Sequence, residues 1–361
     1  MNQKPLKLHE NIETSGKIKA VGLLSGGLDS TLAAKIMIDM GIEVYGINFS
    51  TGFCLTDHRR MMRRSKDQEK TLRNEALRAG SDLRIPVEIV DISREYWDIL
   101  SDPKHGYGSA INPCIDCRIM MLEHARRYME QIKAHFIFTG EVLGQRPMTQ
   151  HRPTLMLIEK ESNLEGLLLR PLSARLLPPT VPEKKGWVKR EYLYSIHGRS
   201  RKPQIRLAQR FNITDYPQPA GGCCFLVDEN FARKLDDLFK YKGKERPGPD
   251  DLSLLKVGRH FRISERVKVI VGRDEGENNF LLKYRGERIP FRVLNFEGPI
   301  TLLEGEPAPE EIEKAARITA RYSDGKSNPM VEVQYEMKGI ERIIKVKPLD
   351  QKSSELENWR I

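Results

Sequence analysis

The sequence predicts an α/β protein built on a doubly wound, mostly parallel sheet, followed by a second, smaller α+β domain. Three observations predict it. Short apolar runs alternate with helix-length segments through the first 140 or so residues, as in consecutive βαβ units. The stretch KGKERPGPDD, at 242–251, is charged, rich in Gly and Pro and poor in core formers, so it reads as a boundary. Beyond it, strand-like runs follow one another with one helix among them.

In order, residues 18–24 (IKAVGLL) read as a short buried strand, followed at once by a polar loop. Residues 31–40 read as a helix, because Leu32, Ile36 and Met40 fall four apart on one face, and Gly41 is placed to end it. Residues 43–49 (EVYGINF) give the second strand, and a basic, helix-compatible stretch covers 58–79. Strands at 87–92 and 135–139 flank a helix at 117–131. Between 167 and 239 the pattern loosens, since Pro178, Pro179, Pro182 and Pro217 cut elements into short pieces, and basic residues outnumber acids. Past the boundary, 261–271, 279–284, 289–294 and 331–335 read as strands and 310–322 as a helix.

Composition narrows the class. Of the 361 residues, 39% are hydrophobic and 30% charged, which suits a soluble globular chain with real cores. The net charge of +10 favours a polyanionic partner such as nucleic acid without selecting one. Residues 1–19 are polar and lack the apolar segment of a secretory signal, and no apolar run reaches about 18 residues, so no membrane partner and a cytoplasmic location are expected. Five cysteines (Cys54, Cys114, Cys117, Cys223, Cys224) are too few and too unevenly placed for a disulfide-built fold, and read as chemistry or metal ligation.

The sharpest motif is SGGLDS at 25–30, between the first strand and the first helix. Gly26 and Gly27 let the backbone wrap closely around an anion, and the helix start offers free amides. The hydroxyls of Ser25 and Ser30 can donate to phosphate. Asp29 would repel it unless Mg²⁺ lies between them; otherwise Asp29 is an acceptor that shapes the loop. Neither the kinase-type phosphate loop nor the dinucleotide fingerprint is present. The competing reading is a glycine turn in which Ser30 only caps a helix. Cys114 and Cys117, in NPCIDCR, stand three apart just before a helix, where two thiolates can face one metal or form a redox pair, or else lie inert in a core. Cys223 follows Gly221 and Gly222, a turn able to deliver its thiol into a site. Cys224 points the opposite way, toward a core, and Cys54 follows the second strand, where it can reach the mouth of the sheet or stay buried.

With these residues in place, the chain resembles the ATP pyrophosphatase superfamily carrying an SGGxDS loop on an adenine nucleotide alpha hydrolase-like fold. Its members cleave ATP between the α and β phosphates and leave AMP on the substrate. TGEVLGQ at 139–145, in which Gly140 is an expected nucleotide contact, is similar to the segment of 4-thiouridine-forming tRNA sulfurtransferases. PAGGC at 219–223, preceded by GRSRKPQIRLAQRF at 198–211, is similar to tRNA-thiolating relatives. The likeness covers 17–237. It implies a [4Fe–4S] cluster on Cys114, Cys117 and Cys223, whose open iron holds sulfide. Relatives without a cluster use one cysteine as a persulfide donor and another to resolve it, and Cys114 or Cys117 with Cys223 suits that too. A Zn²⁺ site is the third option. No rhodanese-like segment is visible, so sulfur is expected as free sulfide or from a carrier protein.

The resulting expectation is an ATP-dependent tRNA sulfurtransferase that adenylates a uridine carbonyl and replaces its oxygen with sulfur. Alternatives are an ATP pyrophosphatase activating a small-molecule carbonyl or carboxylate, amidotransferase- or ligase-like, and a non-catalytic RNA-binding protein. The expected segments are a leader at 1–17, the nucleotide-binding domain at 18–175, a basic, cysteine-containing extension at 176–245 and the α+β domain at 251–361. In the last, VGRD at 271–274 and TARYS at 319–323 distantly resemble a small domain of RNA- and ribosome-associated proteins.

Overall fold

The computed structural model describes residues 16–54, 74–217, 223–350 and 353–361. The expected turn at 219–222, the leader up to residue 15 and most of the basic stretch at 58–79 lie outside them. Two compact units emerge: the first ends at Cys223 and the second begins at Cys224.

The first unit is the expected α/β fold. Its strands are β1 (Lys19–Leu23), β2 (Glu43–Ser50), β3 (Val87–Asp91), β4 (Phe136–Thr139) and β5 (Leu168–Leu169). They form one parallel sheet in the order β3-β2-β1-β4-β5. The helices that concern the site are α1 (Leu28–Asp39), α2 (Glu75–Leu83), α3 (Ser93–Ser101), α4 (Cys114–Gln131), α5 (Arg152–Glu161) and α6 (Lys202–Arg210). Both sheet faces are covered because side chains alternate along each strand. Ala20, Phe136 and Phe138 pack with Leu32 and Ile36 of α1 and Leu207 of α6, whereas Val21 and Ile137 pack with Leu122 of α4 and Ile158 of α5. Strand order turns around between β1 and β4, and the crevice at their carboxyl ends is where such sheets bind ligands. The loop 25–30 leaves β1 at that point.

The second unit holds a six-stranded antiparallel sheet, ordered β11-β10-β8-β9-β7-β6. Its strands are β6 (Arg259–Arg262), β7 (Lys268–Val271), β8 (Ile289–Val293), β9 (Thr301–Glu304), β10 (Val331–Met337) and β11 (Ile340–Val346). Its helices are α7 (Glu229–Lys242), α8 (Pro249–Leu255), α9 (Glu275–Lys283), α10 (Pro309–Arg321) and α11 (Ser354–Trp359). Helix α9 replaces the strand expected at 279–284. The Asp274 carboxylate accepts the Glu277 amide and caps the first turn, and that turn carries Glu275 and Glu277 where a helix dipole favours them. The single strand expected at 261–271 is a hairpin, β6 and β7, folded back between Arg262 and Lys268. Among the described residues no helix is long and apolar enough to cross a membrane.

Candidate active site

The loop between β1 and α1 is built to leave amides free. Gly27 is the N-cap of α1, and with no side chain it gives the first helical N–H groups no cap. Ser30 lies inside the first turn, where its hydroxyl donates to the Gly27 carbonyl at 3.0 Å, so it is not the cap that the competing reading required. Its Oγ lies 3.1 Å from that of Ser25, which also accepts the Gly27 amide at 3.3 Å. Free amides at a helix start, ringed by hydroxyls, form an anion cradle.

Two glycines show how tightly the cradle is held. Gly26 has φ +74°, and a Cβ there would meet the Glu75 backbone at 2.2 Å, because the start of α2 lies against the loop. Arg78 of α2 donates to the Gly26 carbonyl at 2.9 Å and is anchored by Glu75 and Asp82. A Cβ on Gly140 would sit 2.5 Å from the Asp29 and Ser30 backbone. Its role is therefore close approach of the β4 end to the first turn of α1.

Asp29 sits in a polar network joining three sequence motifs. Its Oδ2 accepts Gln145 Nε2 at 2.8 Å and Arg201 Nη2 at 3.1 Å, and Gln145 Oε1 accepts Gln204 Nε2 at 2.8 Å. Through Oδ2, Asp29 is an acceptor that ties the loop to 139–145 and 198–211. Asp29 Oδ1, Arg201 Nε and Gln204 Oε1 are buried without hydrogen-bond partners, so polar capacity at this corner is left over for a ligand.

Glu141, next to Gly140, is 3% exposed and holds two arginines: Arg118 Nε at 3.2 Å and Arg170 Nε at 3.2 Å. Burial works to raise its carboxyl, but Arg118 and then Arg170 outweigh it and hold the group below the usual 4.5. The pair contributes stability above that ordinary value, and the contribution is lost as pH falls through the lowered one. Glu141→Gln is expected to cost about 3–5 kcal/mol at neutral pH, because it leaves buried guanidinium charge uncompensated. Denaturant unfolding of both chains at pH 7 and pH 4 checks this; the gap should narrow at the lower pH.

Arg118 follows Cys117 and lies near all three expected sulfur residues, Cys114, Cys117 and Cys223, whose thiolates would favour its charge. Helix α4 starts at Cys114, three residues earlier than expected, so both cysteines of NPCIDCR lie in its first turn. Cys223 is exposed and Cys114 partly buried. Burial pushes the Cys117 thiol up to about 12, with the neighbouring Cys223 adding to the rise. Burial also raises Cys114, opposed by Asn112, whose Nδ2 donates to Sγ at 3.1 Å. Cys224 is buried and Cys54 partly so.

This arrangement corrects the expected metal chemistry. Among the described residues no group of three or more His, Cys, Asp or Glu is disposed to hold a metal ion. The [4Fe–4S] cluster on Cys114, Cys117 and Cys223, and the Zn²⁺ alternative, are therefore not supported. The sulfurs sense one another electrostatically but have separate commitments: Cys117 partly buried beside Tyr96, Cys114 bound to Asn112, Cys223 exposed. Such a set suits exchange of sulfur between thiols.

Residues 14–175 match the family described as thiamine biosynthesis protein (ThiI), and residues 258–360 match the NFACT protein RNA binding domain. A tRNA-specific 2-thiouridylase MnmA from Listeria innocua is 22% identical over 282 residues, covering 73% of this chain and 68% of that protein. The same-named protein of Acidothermus cellulolyticus is 30% identical over 103 residues, 28% of each chain. Over residues 14–175 the chain is therefore similar to the ThiI family, and at lower identity over a longer span it is similar to tRNA-specific 2-thiouridylases. Among solved structures, a 4-thiouridine synthetase–RNA complex with bound ATP aligns over 53% of this chain and 50% of that one, at 22% identity and a TM-score of 0.32. Gln145 and Gln204 lie within the segments 139–145 and 198–211 but carry no role legible in the sequence, and Arg201 is legible there only as one of many basic residues. Arg118 was signalled only by its place beside Cys117, and Arg78 by nothing in its own surroundings.

Proposed function

We propose that this chain adenylates a uridine carbonyl of tRNA and replaces its oxygen with sulfur carried as a cysteine persulfide. One observation carries the reading: Gly140 lies on the nucleotide loop, while its neighbour Glu141 holds the arginine beside the three cysteines. The nucleotide loop and the thiols are thus linked through Gly140, Glu141 and Arg118. The uridine oxygen attacks the α-phosphorus of ATP and pyrophosphate leaves, with its charge met by the amides of Leu28 and Asp29 at the start of α1. The terminal sulfur of a Cys223 persulfide, charged by a carrier protein's persulfide, attacks the adenylated carbon and AMP departs with the oxygen. The Cys114 thiolate then attacks the Cys223 sulfur, which forms a disulfide and frees the thiolated base. An external dithiol reduces that disulfide before the next turnover. Cys223 takes the donor role because it is exposed to a carrier, and Cys114 resolves because the Asn112 amide donates to its sulfur and favours the thiolate, whereas burial raises the Cys117 thiol.

The match of 258–360 to an RNA binding domain favours a second reading, RNA binding without chemistry. Incubation with α-labelled ATP, with and without tRNA, separates the two. The proposal expects AMP and pyrophosphate to form and to rise with tRNA; RNA binding with no AMP would leave the second reading standing, and AMP formed only with a small carbonyl compound would move the substrate away from tRNA.

A further inference from the structure

The second unit carries a cluster of cations and aromatic rings around α10, set apart from those of its cations that carboxylates neutralise. Arg262 and Lys268 share Asp237, and Lys242 and Arg288 share Asp251 and Glu304. Around α10 the pattern changes. Lys314, Arg317 and Arg321 recur at the three- and four-residue spacing of one helical stripe. Glu310 and Glu313 stand one turn before Lys314 and Arg317, yet Lys314 lies 5.4 Å over the Trp359 ring and Arg317 Nε donates to the Lys347 carbonyl at 3.3 Å. Arg321 Nε is buried with no hydrogen-bond partner. Next to it the Arg259 guanidinium stacks 4.7 Å over the Tyr322 ring, and Arg360 donates to the Tyr322 hydroxyl at 3.1 Å. Among the described residues no carboxylate comes within 4.0 Å of Arg259, Lys314, Arg317, Arg321, Lys347 or Arg360.

Cations oriented by aromatic faces and backbone carbonyls, without acidic partners, keep their full charge for an outside anion. Alternation of guanidinium planes with rings suits a polyanion whose bases can stack as well as a phosphate chain. We propose that this stripe, running from Lys347 and Arg317 along α10 to Tyr322, Arg259 and Arg360, is where the second unit grips the RNA backbone. The inference rests on RNA being the substrate and adds the surface that holds it. Contacts of this kind position the RNA and leave choice of the modified base to the first unit.

The test uses the full chain and measures tRNA affinity across a salt series, beside tRNA-stimulated AMP formation. The variant Lys314→Gln/Arg317→Gln/Arg321→Gln is compared with a control of equal charge, Lys283→Gln/Lys338→Gln/Lys345→Gln, on other exposed positions of the unit. A second variant, Lys347→Gln/Arg360→Gln, touches only exposed side chains and guards against misfolding. The expected result is affinity for tRNA weakened by at least about tenfold in the triple variant, with the salt dependence shallower by about one power per residue removed. The control should stay within about twofold, and AMP formed without tRNA should be unchanged in all three. Equal weakening of variant and control, or none in either stripe variant, overturns the surface; persistent tRNA-stimulated AMP formation then leaves the proposed reaction standing. A parent chain that binds no tRNA overturns both.

Discussion

Cys223→Ser is expected to abolish tRNA thiolation, by about 10³-fold or more, while tRNA-dependent exchange of pyrophosphate into ATP survives within about twofold. The division follows from the two halves of the site. Exchange needs only the cradle of Ser25, Gly26, Gly27 and Ser30 with the Asp29 network, none of which contacts Cys223 through a described hydrogen bond. Sulfur transfer needs the exposed thiol, and serine cannot carry a persulfide. Cys114→Ser should behave differently: the base is attacked but not released, so tRNA accumulates joined to the protein through Cys223 and is freed by a thiol reductant. Cys117→Ser should leave thiolation within about tenfold of the parent chain, because neither the donor nor the resolving step is assigned to it. Exchange lost together with thiolation in Cys223→Ser would mean that the cysteine shapes the nucleotide site and is not the sulfur donor.

The second large effect is expected at the loop. Gly26→Ala must place a Cβ 2.2 Å from the Glu75 backbone at a φ of +74°, so either α2 or the loop has to move. Movement also breaks the bond from Arg78 to the Gly26 carbonyl. The variant is expected to lose ATP turnover by at least about 10²-fold and to unfold about 1–3 kcal/mol more easily. Gly27→Ala is the internal comparison: its φ is −75°, and the nearest atom to a new Cβ is Ser25 Oγ at 3.4 Å. Its stability should stay within about 1 kcal/mol of the parent chain. Calorimetric scans beside ATP turnover for both variants check the contrast.

The nucleotide half of this account could be read from the chain because its signals are local. A strand, two glycines and a helix within about 20 residues set the cradle, and the alternation of Ala20 and Val21 between two cores follows from strand geometry alone. What the sequence left hidden is long-range. Arg201 reaches Asp29 across 172 positions and Arg78 reaches Gly26 across 52, and nothing local to either arginine announces its partner. The metal expectation failed for the same reason: the spacing of Cys114 and Cys117 was visible, but whether a third ligand converges on them depends on tertiary packing, and among the described residues none does. In the second unit, residues 279–284 look strand-like when read alone, and it is the Asp274 cap that commits them to helix. Strands β9 and β11 went unseen because β9 has only four residues and β11 (IERIIKV) is a largely exposed edge whose polar alternation is weak.

The central claim is that ATP cleavage at the loop and sulfur transfer through cysteines are two halves of one reaction on tRNA. The most direct measurement is a single-turnover incubation of the protein with ATP, tRNA and a persulfide-charged sulfur donor, in which AMP is quantified and the digested nucleosides are weighed by mass spectrometry. The account predicts one thiolated uridine for each AMP formed, both absent without ATP, and the thiolated nucleoside alone absent in Cys223→Ser. AMP released with no thiolated nucleoside, or a thiolated nucleoside made without ATP, would contradict it.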